Sequence, residues 1–200
     1  MTLDVNQVEK IDQLAQNVHQ QIFGNTFYYT ELEKALEKHG IAVRWIDSDH
    51  INGYLRYDNN AKCPVIAVTA NDILSTLLER RFVMAYELGC LIVKYHWQID
   101  NSVYNQELNL NSAEFLDIYA PKFTEHKTNE TEYFNEFAYS FLIPNDKLEP
   151  IVDLAVKEDM SGERIINVVA AKFETSTATS QAKLLSYLKN IYYVMHPELA

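Results

Sequence analysis

The stretch RRFVMAYELGCLIVKYH, residues 80–96, has the frame of a zinc-binding helix from which the zinc ligands have been removed. In a helix bearing His-Glu-x-x-His, two imidazoles one turn apart hold the metal and the Glu takes a proton from its bound water. Here the frame is Tyr86-Glu87-Leu88-Gly89-Cys90. The Glu is in place and neither His is.

On a helical wheel, residues 83–97 divide into two faces. Met84, Leu88, Leu91, Ile92 and Tyr95 form an apolar face that reads as core. Val83, Tyr86, Glu87, Cys90, Lys94 and Trp97 share the second face, where metal ligands and a base would stand. His96 lies about 120° from Cys90 and does not replace the missing ligand.

Before this stretch, 5–22 places Val8, Ile11, Leu14 and Val18 at helical spacing. Residues 29–40 offer Thr30 and Glu33 as a capping box and Gly40 as a stop. IAVRWI (41–46), GYLRY (53–57) and PVIAVT (64–69) read as strands, the last two joined by the turn DNNAK. The chain turns helical from Asn71 to Trp97, becomes loop-rich over 98–128, and allows a short helix around SAEFLDIYA (112–120). Phe134, Phe137, Ala138, Phe141 and Leu142 recur at helical spacing up to Pro144. Further helices are expected at 145–158, 162–173 and 177–190. The order predicts an α+β fold, mostly helical, with a small three-stranded sheet preceding the motif helix.

With 200 residues, 48% of them hydrophobic, and only five Gly and five Pro, the chain can bury the core of one domain. No apolar run approaches the roughly 18 residues of a membrane span, and the N-terminus lacks a basic-then-apolar leader. The expectation is a soluble, unprocessed, cytoplasmic protein. A formal charge of −11 argues against broad affinity for nucleic acid or anionic membrane. Cys63 and Cys90, each in an apolar string, are expected to be reduced and buried.

Two blocks give the chain a family resemblance. PVIAVTANDILSTLLERRFVMAYELGCLIVKY is similar to the strand and R-F-x-x-A-H-E-L-G-H helix of the ImmA/IrrE metallopeptidases, with Arg81, Phe82, Ala85, Glu87, Leu88 and Gly89 in register. YFNEFAYSFLIP resembles the family's E-x-N-x-F-A-x-x-L-L-x-P block, matched at Asn135, Phe137, Ala138, Leu142 and Pro144. The N-terminal helices, HGIAVRWID and AAKFETSTATSQAKLLSYL also look similar. The resemblance implies one zincin-like domain over 1–200: helices and sheet to 70, motif helices over 71–144, and a helical subdomain over 145–200. It also implies three metal-ligand positions, which fall on Tyr86, Cys90 and Tyr133; a further family His falls on Lys94. Only the general-base position, Glu87, keeps its chemistry.

A catalytic zinc needs three protein ligands and an open position. Phenols with pKa near 10 are poor donors at neutral pH. Without a metal nothing polarises a carbonyl, and Glu87 alone cannot hydrolyse an amide. The expectation is therefore a catalytically silent relative that needs no cofactor. Family members cut repressor-type transcription factors, often of phage-like or integrative elements, so the surviving role would be binding a protein, such as a helix-turn-helix repressor. The alternative is an active metallopeptidase with an atypical zinc site that cleaves such a repressor, drawing on Cys90 with His96 or His126.

Elsewhere, the six His are scattered and read as surface or cap residues, and Cys90 reads as a core thiol rather than a nucleophile. Glu130, Glu132 and Glu136 read as a solvated acidic face. Residues 170–185 resemble the turn of a helix-turn-helix, with Thr177 to Ser180 opening the second helix. Only Lys172, Lys183 and Lys189 lie near it, too few for DNA, so this segment is expected to pack against the domain.

Overall fold

A computed structural model describes residues 3–24, 31–72, 75–108, 116–119 and 129–197, apart from the side chains of 107, 116–119 and 129. Helix α1 spans Val5–Phe23 and opens on a capping box: Gln7 N–H donates to Asp4 Oδ1 at 2.8 Å, and Asp4 N–H to Gln7 Oε1 at 2.9 Å. Val8, Ile11, Ala15, Val18 and Ile22 are its buried stripe. Ala15 takes the place expected for Leu14, which is exposed. Helix α2, Leu32–Lys38, follows Glu31, whose side chain makes no cap hydrogen bond. Thr30 lies outside the described residues, and Glu33 instead accepts from Trp45 Nε1 at 3.1 Å. Gly40, at φ +77°, does end the turn.

Strands β1 (Ala42–Ile46), β2 (Gly53–Asp58) and β3 (Cys63–Thr69) form the expected sheet. β3 lies between a parallel β1 and an antiparallel β2. Every residue from Pro64 to Thr69 is buried, as a strand covered on both faces requires. Gly53 is needed where β2 meets the helix above it, because a Cβ there would stand 2.5 Å from Val83 Cγ1 and 2.6 Å from Ala67 O. A fourth strand, β4 (Leu116–Tyr119), pairs antiparallel with β2, giving the order β1-β3-β2-β4. The described part of 112–120 is thus a strand and not a short helix. The open edge of β2 presents unpaired backbone groups, and pairing with them outweighs local helical preference.

The motif helix, α3, spans Leu77–Val93 rather than starting at Asn71. Thr76 has extended backbone and caps it reciprocally with Glu79. All residues from Arg81 to Ile92 are buried, so both faces of the wheel are core. One side lies on the sheet and the other on α5. His96 has φ +57° and turns the chain, so Trp97 leaves the face that holds Cys90. A short α4, Ser102–Glu107, follows within the segment expected to be loop.

Helix α5, Asn129–Leu142, buries all five expected apolar positions and stops before Pro144. It runs antiparallel to α3: Phe82 meets Tyr139 at one end, 5.4 Å between ring centroids, and Lys94 reaches Glu130 at the other, 3.9 Å. Helices α6 (Asn145–Lys157), α7 (Gly162–Phe173) and α8 (Thr177–Tyr187) follow as expected, and α8 continues through a π-helical stretch, Leu188–Tyr192. The result is the α+β fold expected, mostly helical, with α3 and α5 at its centre.

Candidate functional site

Tyr86, Glu87 and Cys90 lie in the middle of α3, with Tyr86 and Cys90 one turn apart on one face. Tyr86 is 5% exposed, and Glu87 and Cys90 are 0% exposed. The Tyr86 ring meets Phe134 of α5 edge-on, at 5.6 Å between centroids and 88° between planes. Tyr133, where the resemblance implies the third ligand, is the residue before Phe134 and is half-buried against the same core. Its hydroxyl accepts a hydrogen bond from Gln7 Nε2. Gln7 therefore caps α1 through its amide oxygen and ties that helix to α5 through its amide nitrogen.

Gly89 marks the closest approach of the two helices. A Cβ at this position would stand 2.8 Å from Phe137 Cδ1 and 3.0 Å from its Cγ. The motif glycine lets α5 pack tightly over the middle of α3. The next i−3 and i+1 positions, Tyr86 and Cys90, are covered by that packing. Lys94, one turn beyond Cys90, is exposed, with its ammonium 3.9 Å from Glu130 and 5.4 Å from the Tyr95 ring centroid.

Tyr86, Cys90 and Tyr133 offer two phenols and one thiol. A tetrahedral zinc centre takes thiolate, imidazole or carboxylate donors and keeps a position open to water. These side chains do not fit that centre: one ring is packed edge-on against Phe134, one phenol is engaged by Gln7, and the thiol is fully covered. Among the described residues no group of three His, Cys, Asp or Glu is placed to hold a metal ion. His96 lies past the turn that ends α3, and His126 lies outside the described residues.

Several other expectations change. His19 is buried rather than a surface or cap residue: its Nδ1 is 2.9 Å from the Phe141 carbonyl, and its ring lies between Phe23 and Phe141. Burial pulls its pKa below the ordinary value, partly opposed by that carbonyl. Cys63 is only partly covered, whereas Cys90 is buried as expected. Glu136 is not on a solvated face. It sits in a buried network that sequence spacing gave no means of finding. Lys183, at 0% exposure, places Nζ 2.8 Å from Asp12 Oδ1, 2.8 Å from Ser140 Oγ and 3.7 Å from Glu136 Oε1. Ser140 donates to Asp12, Asn145 donates to Asp12 Oδ2 at 2.8 Å, and Ser186 donates to Glu136 Oε2 at 2.9 Å.

The α7–α8 turn has helix-turn-helix form, with Glu174 left-handed at φ 49° and Ser176 capping α8. It is fastened to the motif helix. Arg81 of α3 donates from Nη1 to the Glu174 carbonyl and to Glu174 Oε2, both at 3.0 Å. Lys183, on the second helix, points inward to Asp12.

Comparison with known proteins agrees with this architecture. The family model described as the IrrE N-terminal-like domain (Peptidase M78) matches residues 36–185. A solved structure described as a Mycobacterium tuberculosis transcriptional regulator superposes with a TM-score of 0.51 at 17% identity, over 88% of this chain and 47% of that one. The chain thus spans about half the length of that structure, and the likeness is one of fold. No curated protein matches.

Proposed function

Because the chain belongs to the IrrE N-terminal-like domain family, we propose that it is a non-catalytic member that binds a protein, and that the protein is a repressor-type transcription factor of a phage-like or integrative element. The observation that supports the reading is the packing of Tyr86 and Cys90 beneath α5, at two of the three positions, with Tyr133, that the resemblance gives to metal ligands. Glu87 keeps the base position but has no metal-bound water to act on. Its side chain is part of the core, where a proton-accepting role toward a substrate is closed.

Loss of the ligands with retention of the scaffold favours binding over chemistry. Arg81, Phe82, Gly89 and Phe137 hold α3, α5 and the α7–α8 turn in one packed unit, so a surface selected for a protein partner can persist after hydrolysis is gone. The formal charge of −11 suits a basic DNA-binding partner and disfavours direct DNA contact. Among the described residues no helix is long and apolar enough to cross a membrane.

The test is calorimetric titration of the protein with helix-turn-helix repressors from the genome that encodes it, starting with any encoded beside it, followed by mass analysis of the repressor. The reading expects saturable binding with the repressor intact. A cleaved repressor, or no heat of binding at micromolar concentrations, defeats it.

A further inference from the structure

Beyond the C-terminal end of α3, apart from Tyr86, Glu87 and Cys90, lies a cavity of about 380 Å³. It sits between the end of α2, the hairpin joining β2 to β3, and the turn from α3 into α4. That volume lies in the range of small-molecule sites. Tyr57 and Trp97 supply aromatic wall, their ring centroids 6.4 Å apart and their planes at 55°.

Three features set this cavity apart. First, backbone strain gathers there. Among the described residues five non-glycine residues have positive φ; Lys62 (53°) and Asp100 (60°) line the cavity, and His96 (57°) immediately precedes Trp97. Such conformations each cost on the order of 1 kcal/mol or more and concentrate at binding sites. Second, the wall is braced before any ligand arrives. His39 Nδ1 is 2.8 Å from Asp100 Oδ1. Asn105, itself buried, donates to the Gln98 carbonyl at 2.7 Å and accepts from Gln98 N–H at 3.0 Å. Third, donors are left over. Trp97 is 8% exposed, and its Nε1–H has no hydrogen-bond partner among the described residues. Lys62 makes no ion pair among them either.

A buried N–H without an acceptor costs roughly 1–3 kcal/mol, and an acceptor brought by a ligand removes that cost. An exposed ammonium at the rim adds attraction for negative charge. We infer that this cavity binds a small planar anion, an aromatic carboxylate, whose ring lies against Tyr57 and Trp97 and whose oxygens accept from Trp97 Nε1–H and Lys62 Nζ. The site stands independently of the role proposed above, since it shares no residue with the former metal positions.

The sequence has two tryptophans, and Trp45 is exposed on β1 and bonded to Glu33, so the pair gives one reporter inside the cavity and one outside. The protein labelled with ¹⁵N at its indoles is titrated with benzoate and, separately, with benzyl alcohol, Trp45→Phe assigning the two resonances. The Trp97 N–H resonance moves and saturates with benzoate, while Trp45 stays in place. Benzyl alcohol needs at least about tenfold more for the same movement, the equivalent of one lost ion pair. Lys62→Gln raises the benzoate midpoint about tenfold and Lys62→Arg restores it, with an unmoved Trp45 resonance reporting an intact fold. The inference is overturned if Trp97 does not respond up to the solubility limit, if the alcohol matches the acid, or if Lys62→Gln leaves the midpoint where it was.

Discussion

Lys183 carries a full charge into the interior and is met there by two carboxylates, Asp12 at 2.8 Å and Glu136 at 3.7 Å. Removing one member of a buried charged cluster leaves the others uncompensated, at a cost of about 3–5 kcal/mol. Lys183→Met should therefore lose that much in urea unfolding, whereas Glu136→Gln, which leaves the Asp12–Lys183 pair intact, should lose far less. Glu136 also fixes a pH dependence. Burial raises the Glu136 carboxyl above its ordinary 4.5, with Lys183 pulling it down and Asp12 pushing it up. The folded chain then holds that proton more tightly than the unfolded chain. The stabilising contribution is complete below pH 4.5 and fades as pH rises through the folded value. Glu136→Gln should thus gain on the wild type between pH 4.5 and pH 7, read from urea midpoints; parallel profiles would contradict the assignment. None of this was legible in the sequence. Asp12 and Lys183 are 171 positions apart, and Glu136, at helical spacing from Glu132, looks like any solvated acid until α8 is laid over it. What the sequence did make legible is the place of Tyr86 and Cys90 on one face of the motif helix, one turn apart.

At the scale of the element, periodicity predicted the stripe on α5, three of the five apolar core positions of α1, and the three strands before α3. It misplaced what depends on neighbours. Leu116–Tyr119 is a strand because β2 has a free edge, and Trp97 leaves α3 because His96 turns left-handed. The α3–α5 crossing makes a sharp prediction at Gly89. Alanine in a helix interior is favoured over glycine by up to about 1 kcal/mol. Against that, the new Cβ would fall 2.8 Å from a fully buried Phe137 ring, and overpacking of this kind costs about 1–3 kcal/mol. Overpacking wins, so Gly89→Ala should unfold at lower urea by about 1–2 kcal/mol. A stabilised variant would mean the helices are further apart than described. The α7–α8 pair yields the opposite kind of expectation. Its turn is bonded to Arg81 and its Lys183 faces the core, which leaves Lys172 and Lys189 as the nearby cations. The protein should not retard duplex DNA even at about 50 mM salt, where phosphate contacts are strongest; retardation that weakens steeply with salt would reopen that role.

For the whole molecule, the chain keeps the scaffold of the IrrE N-terminal-like domain family, and in the proposed reading its ligand positions hold donors unsuited to zinc. If the register is right, the scaffold should accept the metal once donors are returned. Tyr86→His, Cys90→His and Tyr133→Glu together should take up about one zinc per chain with tetrahedral affinity, provided the variant stays folded by circular dichroism. A folded variant that binds none would mean that α3 and α5 do not bring these positions together. The most direct test uses the unaltered protein. Purified without chelator and dialysed against metal-free buffer, it should carry far less than one equivalent of zinc or any other transition metal by elemental analysis. One equivalent of tightly held zinc would contradict the account.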